Sequence, residues 1–221
     1  MAYVDFLMKL HSGTKRDYVQ RVVEYDKAEC SEVAIQYGKD YWDGDRKYGY
    51  GGYKYDGRQR AIAEAMAKHY NIQPGHKILD VGFGKGYLLY EFTQVVPGVE
   101  VAGIDISEYG LENAKDEIKR FLQVGNAISL PFEDDSFDFV VSITTLHNLY
   151  NYELNSAVKE IERVGKGTNK HIAIESYRNE REKANLLYWQ LTCRSFYTPK
   201  EWEWVFEQCG YTGDYSYIVF E

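Results

Sequence analysis

Proline and cysteine are scarce in this chain, long apolar runs are missing, and basic residues are outnumbered. Only 4 prolines and 3 cysteines occur in 221 residues. Cys30, Cys193 and Cys209 are odd in number, widely separated and form no CxxC pair, so neither a disulfide framework nor a zinc site is indicated. They read as buried, reduced thiols, and no metal is expected. No stretch approaches the roughly twenty apolar residues that span a bilayer, and Met1 to Leu10 carries Asp5 and Lys9 in place of a signal h-region. The expectation is a cytoplasmic protein without a membrane partner. With 26 Lys and Arg against 34 Asp and Glu, the net charge of −8 argues against nucleic acid as the main partner. What is present is a 44% hydrophobic composition, enough to supply a core.

Residues 1 to about 39 read as helical and polar, with weak apolar spacing at Tyr18, Val22, Val23 and Tyr25. Residues 40 to 58 hold five glycines and five tyrosines and repeat neither as a helix nor as a strand. A helix then fits Gln59 to Tyr70, with Ala61, Ile62, Ala65, Met66 and His69 on one stripe. From there strands and helices alternate. Strands are expected at 77–81, 100–106, 137–143 and 171–176, with a closing strand "YSYIVFE". Helices are expected at 87–95, from Glu108 to Leu122, along the Leu154/Ala157/Val158/Ile161/Val164 stripe, and from the capping box "TPKE" to Gly210. Strict alternation predicts an α/β fold: a doubly wound, mostly parallel sheet with a helical N-terminal extension. The division expected is 1–58, extension and Gly/Tyr segment, and 59–221, the α/β domain.

Three glycines in "ILDVGFGKG" (78–86) follow a strand and open a helix, where a ligand can approach main-chain N–H groups. The spacing is GxGxG, not the GxGxxG of a dinucleotide site. Asp105, at the end of the next strand, suits both hydroxyls of a ribose. Asp80, just before the loop, is a poor neighbour for a pyrophosphate and a good one for a cation. With "GIDIS" and "LPFEDDSFDFVVSITTLHNL" in order, residues 75 to 175 resemble the class I S-adenosylmethionine-dependent methyltransferases. The resemblance implies S-adenosylmethionine as cofactor. It places Asp80, Gly82, Gly84 and Gly86 around the methionine portion, Asp105 on the ribose, Ile106 on the adenine, and Asn126, Ala127 and Ile128 along the adenine edge. Three departures stand out: Phe83 for the usual cysteine, Asn126 for the usual acid, and Asn148 after His147. One terminal strand is expected where the family's sheet usually ends in a hairpin, which leaves the seventh strand open.

The family's acceptor cavity opens past the fourth and fifth strands, which makes His147, Glu175 and Tyr177 the candidate catalytic groups and Arg178 a candidate substrate contact. The alternative for His147 is a ring packed near the cofactor; for Glu175 it is an ion pair with Arg178 or Arg181. The Gly/Tyr segment and "NLLYWQLTCRSF" resemble a narrower group found in surface-polysaccharide (capsule) biosynthesis. That implies an oxygen of a sugar, sugar nucleotide or phosphorylated or phosphoramidate-type precursor as acceptor, with a homodimer left open. Residues 40–58 are expected to form a lid hinged at its glycines, with Tyr50, Tyr53 and Lys54 meeting the acceptor and Arg46, Lys47 and Arg58 adding positive charge. Methylation of RNA or protein, or a non-catalytic module lending its fold to a partner, are the other classes.

Overall fold

The computed structural model describes residues 1–7 and 16–221. Three short helices lead in: α1 (Tyr18–Glu24), α2 (Lys27–Ala34) and α3 (Lys39–Asp43), with a 3-10 turn at Arg46–Tyr48. Asp17 and Asp26 start α1 and α2 by accepting from the backbone N–H groups of Gln20 and Ala28. Then follow α4 (Arg60–His69), β1 (Lys77–Val81), α5 (Tyr87–Val95), β2 (Glu100–Asp105), α6 (Glu108–Glu112), α7 (Asp116–Lys119), β3 (Leu122–Val124) and β4 (Phe139–Ile143). The chain closes with α8 (Asn151–Val164), β5 (Lys170–Glu175), α9 (Glu180–Trp189), α10 (Pro199–Gln208) and β6 (Asp214–Ile218).

Among the described residues the sheet has six strands, ordered β3-β2-β1-β4-β5-β6, and every pair is parallel. The strands are buried on both faces, so each carries near-continuous apolar residues. Ile78, Phe139, Val141 and Ala173 pack with Ile62, Met66, Leu89 and Phe92 on one face. Leu79, Val81, Val140 and Ile172 pack with Leu154, Ile161, Trp202 and Phe206 on the other. Strand order reverses between β1 and β4, and beyond the carboxyl ends at such a point the diverging connections leave a crevice.

Several expectations are corrected. The segment from Glu108 to Leu122 is not one helix: the chain breaks at Asn113, whose side chain donates to the Tyr109 carbonyl, and Lys115 is extended. Leu122 then pairs with Gly103 to begin β3, a strand absent from the sequence reading, and Phe121 is exposed. On α4 the buried stripe is Ile62, Ala63, Met66 and Ala67, with Ala61 and Ala65 in solvent. The closing strand ends at Ile218, short of the expected Glu221, and among the described residues it stands as the single closing strand that was expected. Residues 1–7 are not helical, and the part of that expectation on residues 8–15 lies outside the described residues. Val4 N–H donates to the Tyr215 carbonyl, and Tyr215 N–H to that of Ala2, which lays residues 2–4 along the edge of β6.

Candidate active site

A cavity of about 690 Å³ lies where the strands end. The turn after β1 enters it first. Gly82 and Gly84 both have positive φ, at 90° and 61°. A Cβ on Gly82 would stand 2.0 Å from Thr145 Oγ1, and one on Gly84 2.9 Å from the Trp42 ring, so only glycine fits either position. Gly84 N–H donates to Asp105 at 2.8 Å, and Ser107 N–H donates to its other oxygen at 2.8 Å. Asp105 is thereby held rigidly at the end of β2.

Asp80, Gly82, Gly84, Asp105, Ile106, Asn126 and Ala127 all line the cavity; Gly86 and Ile128 do not. Gly86 instead caps α5 in a left-handed conformation and packs against Ile118. Ile128 sits behind Asn126, whose side-chain oxygen accepts from the Ile128 N–H at 3.1 Å. The loop thus uses, within itself, the amide oxygen that sequence reasoning offered to an adenine.

Of the expected catalytic set, the structure brings His147 and Glu175 together. His147 Nδ1 accepts from the Glu175 N–H at 3.3 Å, which leaves the proton on Nε2, 3.5 Å from the Glu175 carboxyl. Burial pushes the His147 ring down to about 3 and the Glu175 carboxyl up to about 8, so both are neutral at pH 7. Gln190 donates to Oε1 of Glu175, whereas the buried Oε2 has no hydrogen-bond partner among the described residues. Neither Arg178 nor Arg181 pairs with it.

Tyr177 and Arg178 are not brought to the cavity. Past β5, Ser176 N–H donates to the Ile218 carbonyl, and Tyr177 turns into the core, with Lys183 over its ring. Arg178 is spent on Glu182 and Glu221.

From the 40–58 segment Trp42, Tyr50, Tyr53 and Lys54 line the cavity. Trp42, buried, donates to Ser107 Oγ at 2.9 Å and to the Tyr37 carbonyl at 3.0 Å. Tyr50 stacks on Trp42, and Tyr53 on Tyr87. Asp43 accepts from Lys85 Nζ (2.7 and 2.8 Å), the Tyr109 hydroxyl (2.8 Å) and the Tyr53 N–H (3.0 Å). Burial pushes Asp43 up, but these hydrogen bonds hold it below the usual carboxylate range. Gly44 and Gly49 are not hinges here: a Cβ would meet the backbone of Asp40 at 2.6 Å and of Tyr41 at 2.2 Å, so they serve close packing.

Sequence reasoning missed Arg16, Arg21, Trp189 and Phe220 in the wall. It also missed Thr144, a β-branched residue at φ 54°, a strained conformation placed at the exit of β4.

A parallel doubly wound sheet, a glycine turn under the cavity and a ribose-type carboxylate define a class I S-adenosylmethionine-dependent methyltransferase fold. Residues 79–172 match the methyltransferase domain family. The chain is 34% identical over 126 residues to the demethylmenaquinone methyltransferase of Bacillus cytotoxicus, covering 54% of this chain and 52% of that one. It thus spans about half the length of the curated relatives it matches. Among solved structures, YcgJ of Bacillus subtilis superposes with a TM-score of 0.54 at 25% identity, covering 66% of each chain. The [4+2]-cyclase SpnF matches at 0.55 with 19% identity, over 85% of this chain and 70% of that one, and shares the fold alone.

The cofactor is S-adenosylmethionine. The residues present fit it on two observations: Gly82 and Gly84 line the cavity with bare backbone, and Asp105 stands fixed beside them. Asp80 adds a third. Burial, and then the charge of Asp105, pushes its carboxyl up to about 8, a cost that a cationic ligand relieves.

Proposed function

We propose that this protein methylates an oxygen of a small molecule, with Glu175 as general base and His147 as the residue that orients it. Asp80, Gly82 and Gly84 would hold the methionine portion of the cofactor, and Asp105 its ribose. Bound there, S-adenosylmethionine supplies an electrophilic methyl group on a positively charged sulfur. The carrying observation is the Glu175 carboxyl: buried at the cavity wall, fixed on one oxygen by Gln190, and without a hydrogen-bond partner on the other. A hydroxyl placed against Oε2 has its proton acceptor in position. As the Glu175 proton is lost, His147 Nε2–H faces the resulting carboxylate and steadies it. Positive charge arriving in the cavity lowers the Glu175 pKa from about 8 toward neutrality. Enclosure by the Tyr50 and Tyr53 rings keeps water from competing for the methyl group.

The finer reading of the acceptor is a carbohydrate or a phosphorylated precursor, supported by the polar groups and the arginines of the wall. An aromatic acceptor of the demethylmenaquinone type is the second reading. It is supported by the Tyr41, Trp42, Tyr50 and Tyr53 rings of the cavity and by the name of the relatives.

Radiolabelled methyl transfer to a panel of sugar phosphates, nucleotide sugars and quinols tests this. For a hydroxyl acceptor, Glu175→Gln is expected to cut kcat by about 10²–10⁴ with S-adenosylhomocysteine affinity kept. His147→Ala is expected to lower kcat by less. Near-normal kcat in Glu175→Gln removes the base assignment.

A further inference from the structure

We propose that the end of the cavity away from the glycine turn is an anion subsite, built by Arg21 and Arg46 against Trp189, that takes a phosphate or carboxylate group of the acceptor. The word acceptor rests on the methyl-transfer reading; the subsite is read from the side chains themselves.

Arg21 and Arg46 lie with their guanidinium carbons 4.6 and 5.1 Å from the Trp189 ring centre, and Arg16 lies 5.5 Å from it. All four residues line the cavity. Stacking on an indole holds a guanidinium flat while leaving edge N–H groups to bond. Three cations around one ring repel one another. Burial, and then the neighbouring Arg46, lowers Arg21; burial, and then Arg16, lowers Arg46.

Arg21 and Arg46 differ in their partners from Arg58, which also lines the cavity. Among the described residues, Arg58, Arg60, Arg163 and Arg178 each pair with a carboxylate. Neither Arg21 nor Arg46 has one within ion-pair distance. Among the described residues Arg21 donates only to the carbonyls of Arg46 and Lys47, at 3.3 and 3.4 Å, and its buried Nε has no partner. Arg46 donates to the Gly49 carbonyl. Carbonyls carry no charge, so among the described residues no carboxylate offsets either guanidinium at ion-pair distance. Asp105 stands beside the glycine turn in the wall of the same cavity, so that wall carries an acid as well as the arginines. A molecule entering with its anion on the arginines is oriented, with its other end toward Glu175 and the cofactor.

The test is titration of the full chain, with and without S-adenosylhomocysteine, by inorganic phosphate and by malonate, following tryptophan fluorescence and melting temperature. Saturable binding of either anion is expected, and which one binds more tightly names the group. Arg46→Met should weaken it at least tenfold. Arg58→Met, which removes a cavity-lining cation already paired with Asp56, should leave it unchanged. Arg21→Met is the secondary variant, because Arg21 also braces the backbone of the Arg46 turn. Absence of saturable binding by both anions, or equal binding in Arg46→Met and wild type, overturns the subsite and makes the arginines a stacked latch. Anion binding without S-adenosylhomocysteine binding removes the methyl-transfer reading and leaves the subsite standing.

Discussion

Three buried acid–base groups carry most of what the site can do, and they respond to pH in opposite directions. Asp80 and Glu175 are held near 8, against ordinary values of 3.8 and 4.5. Between those limits the folded chain keeps protons that the unfolded chain releases. Their contribution to stability is therefore full below about pH 4 and is lost as pH rises through 8. His147 has the other sign: held at about 3, its contribution is present above 6.5 and lost as pH falls toward 3. Asp80→Asn and Glu175→Gln should accordingly melt above wild type at pH 8.5 and show no such gain at pH 4.5, read by scanning calorimetry. A gain of the same size at both pH values would show that packing, not titration, is responsible. Asp80, Gly82, Gly84, Asp105 and His147 were legible in the sequence because each lies at the carboxyl end of a strand or within a few residues past it, where a parallel sheet brings its ligands. Tyr177 and Arg178 follow a strand end too, yet the chain has already bonded to β6 at Ser176 and turned away. Arg21, Arg46 and Trp189 meet only through the fold, and no local pattern joins them.

The segment from Lys39 to Arg58 shows why element boundaries were harder to read. Its glycines suggested looseness, whereas at Gly44 and Gly49 their small size allows backbone to touch backbone. The helix and strand between Glu108 and Val124 were hidden for a related reason: the apolar residues fit a helical period well enough to mask the break at Asn113. In the 40–58 segment the Asp43–Lys85 pair decides the matter. Lys85 is buried, at 4% side-chain exposure, in the glycine turn itself. Breaking a buried pair by removing one partner costs about 3 kcal/mol or more. Asp43→Asn should therefore open the segment more than it unfolds the domain, so that trypsin cuts at Arg46, Lys47 or Lys54 faster than in wild type. In wild type, S-adenosylhomocysteine with an acceptor should slow the cutting. Unchanged cleavage in Asp43→Asn would mean that the segment is a fixed wall of the domain and no lid.

At the scale of the whole molecule, the sheet and the alternation of layers were predictable from apolar runs and glycine turns, and the edges were not. β3 is only three residues long, and residues 2–4 hold the opposite edge by backbone bonds that carry no sequence signature. Fold alone does not choose the reaction, as the similarity to a cyclase illustrates; the choice rests on the wall of the cavity. One feature of that wall also governs timing. The single segment that holds Asp43 against Lys85 also carries Arg46 to Trp189, so the two ends of the cavity are fastened by one strap. In the lid reading neither product leaves until that strap lets go, and letting go means parting a buried ion pair and a stacked cation together. In the lid reading, the first turnover should then outrun all later ones. Rapid-quench measurement is expected to show a burst of methylated product approaching one equivalent per chain, and Asp43→Asn should abolish the burst while raising the steady rate.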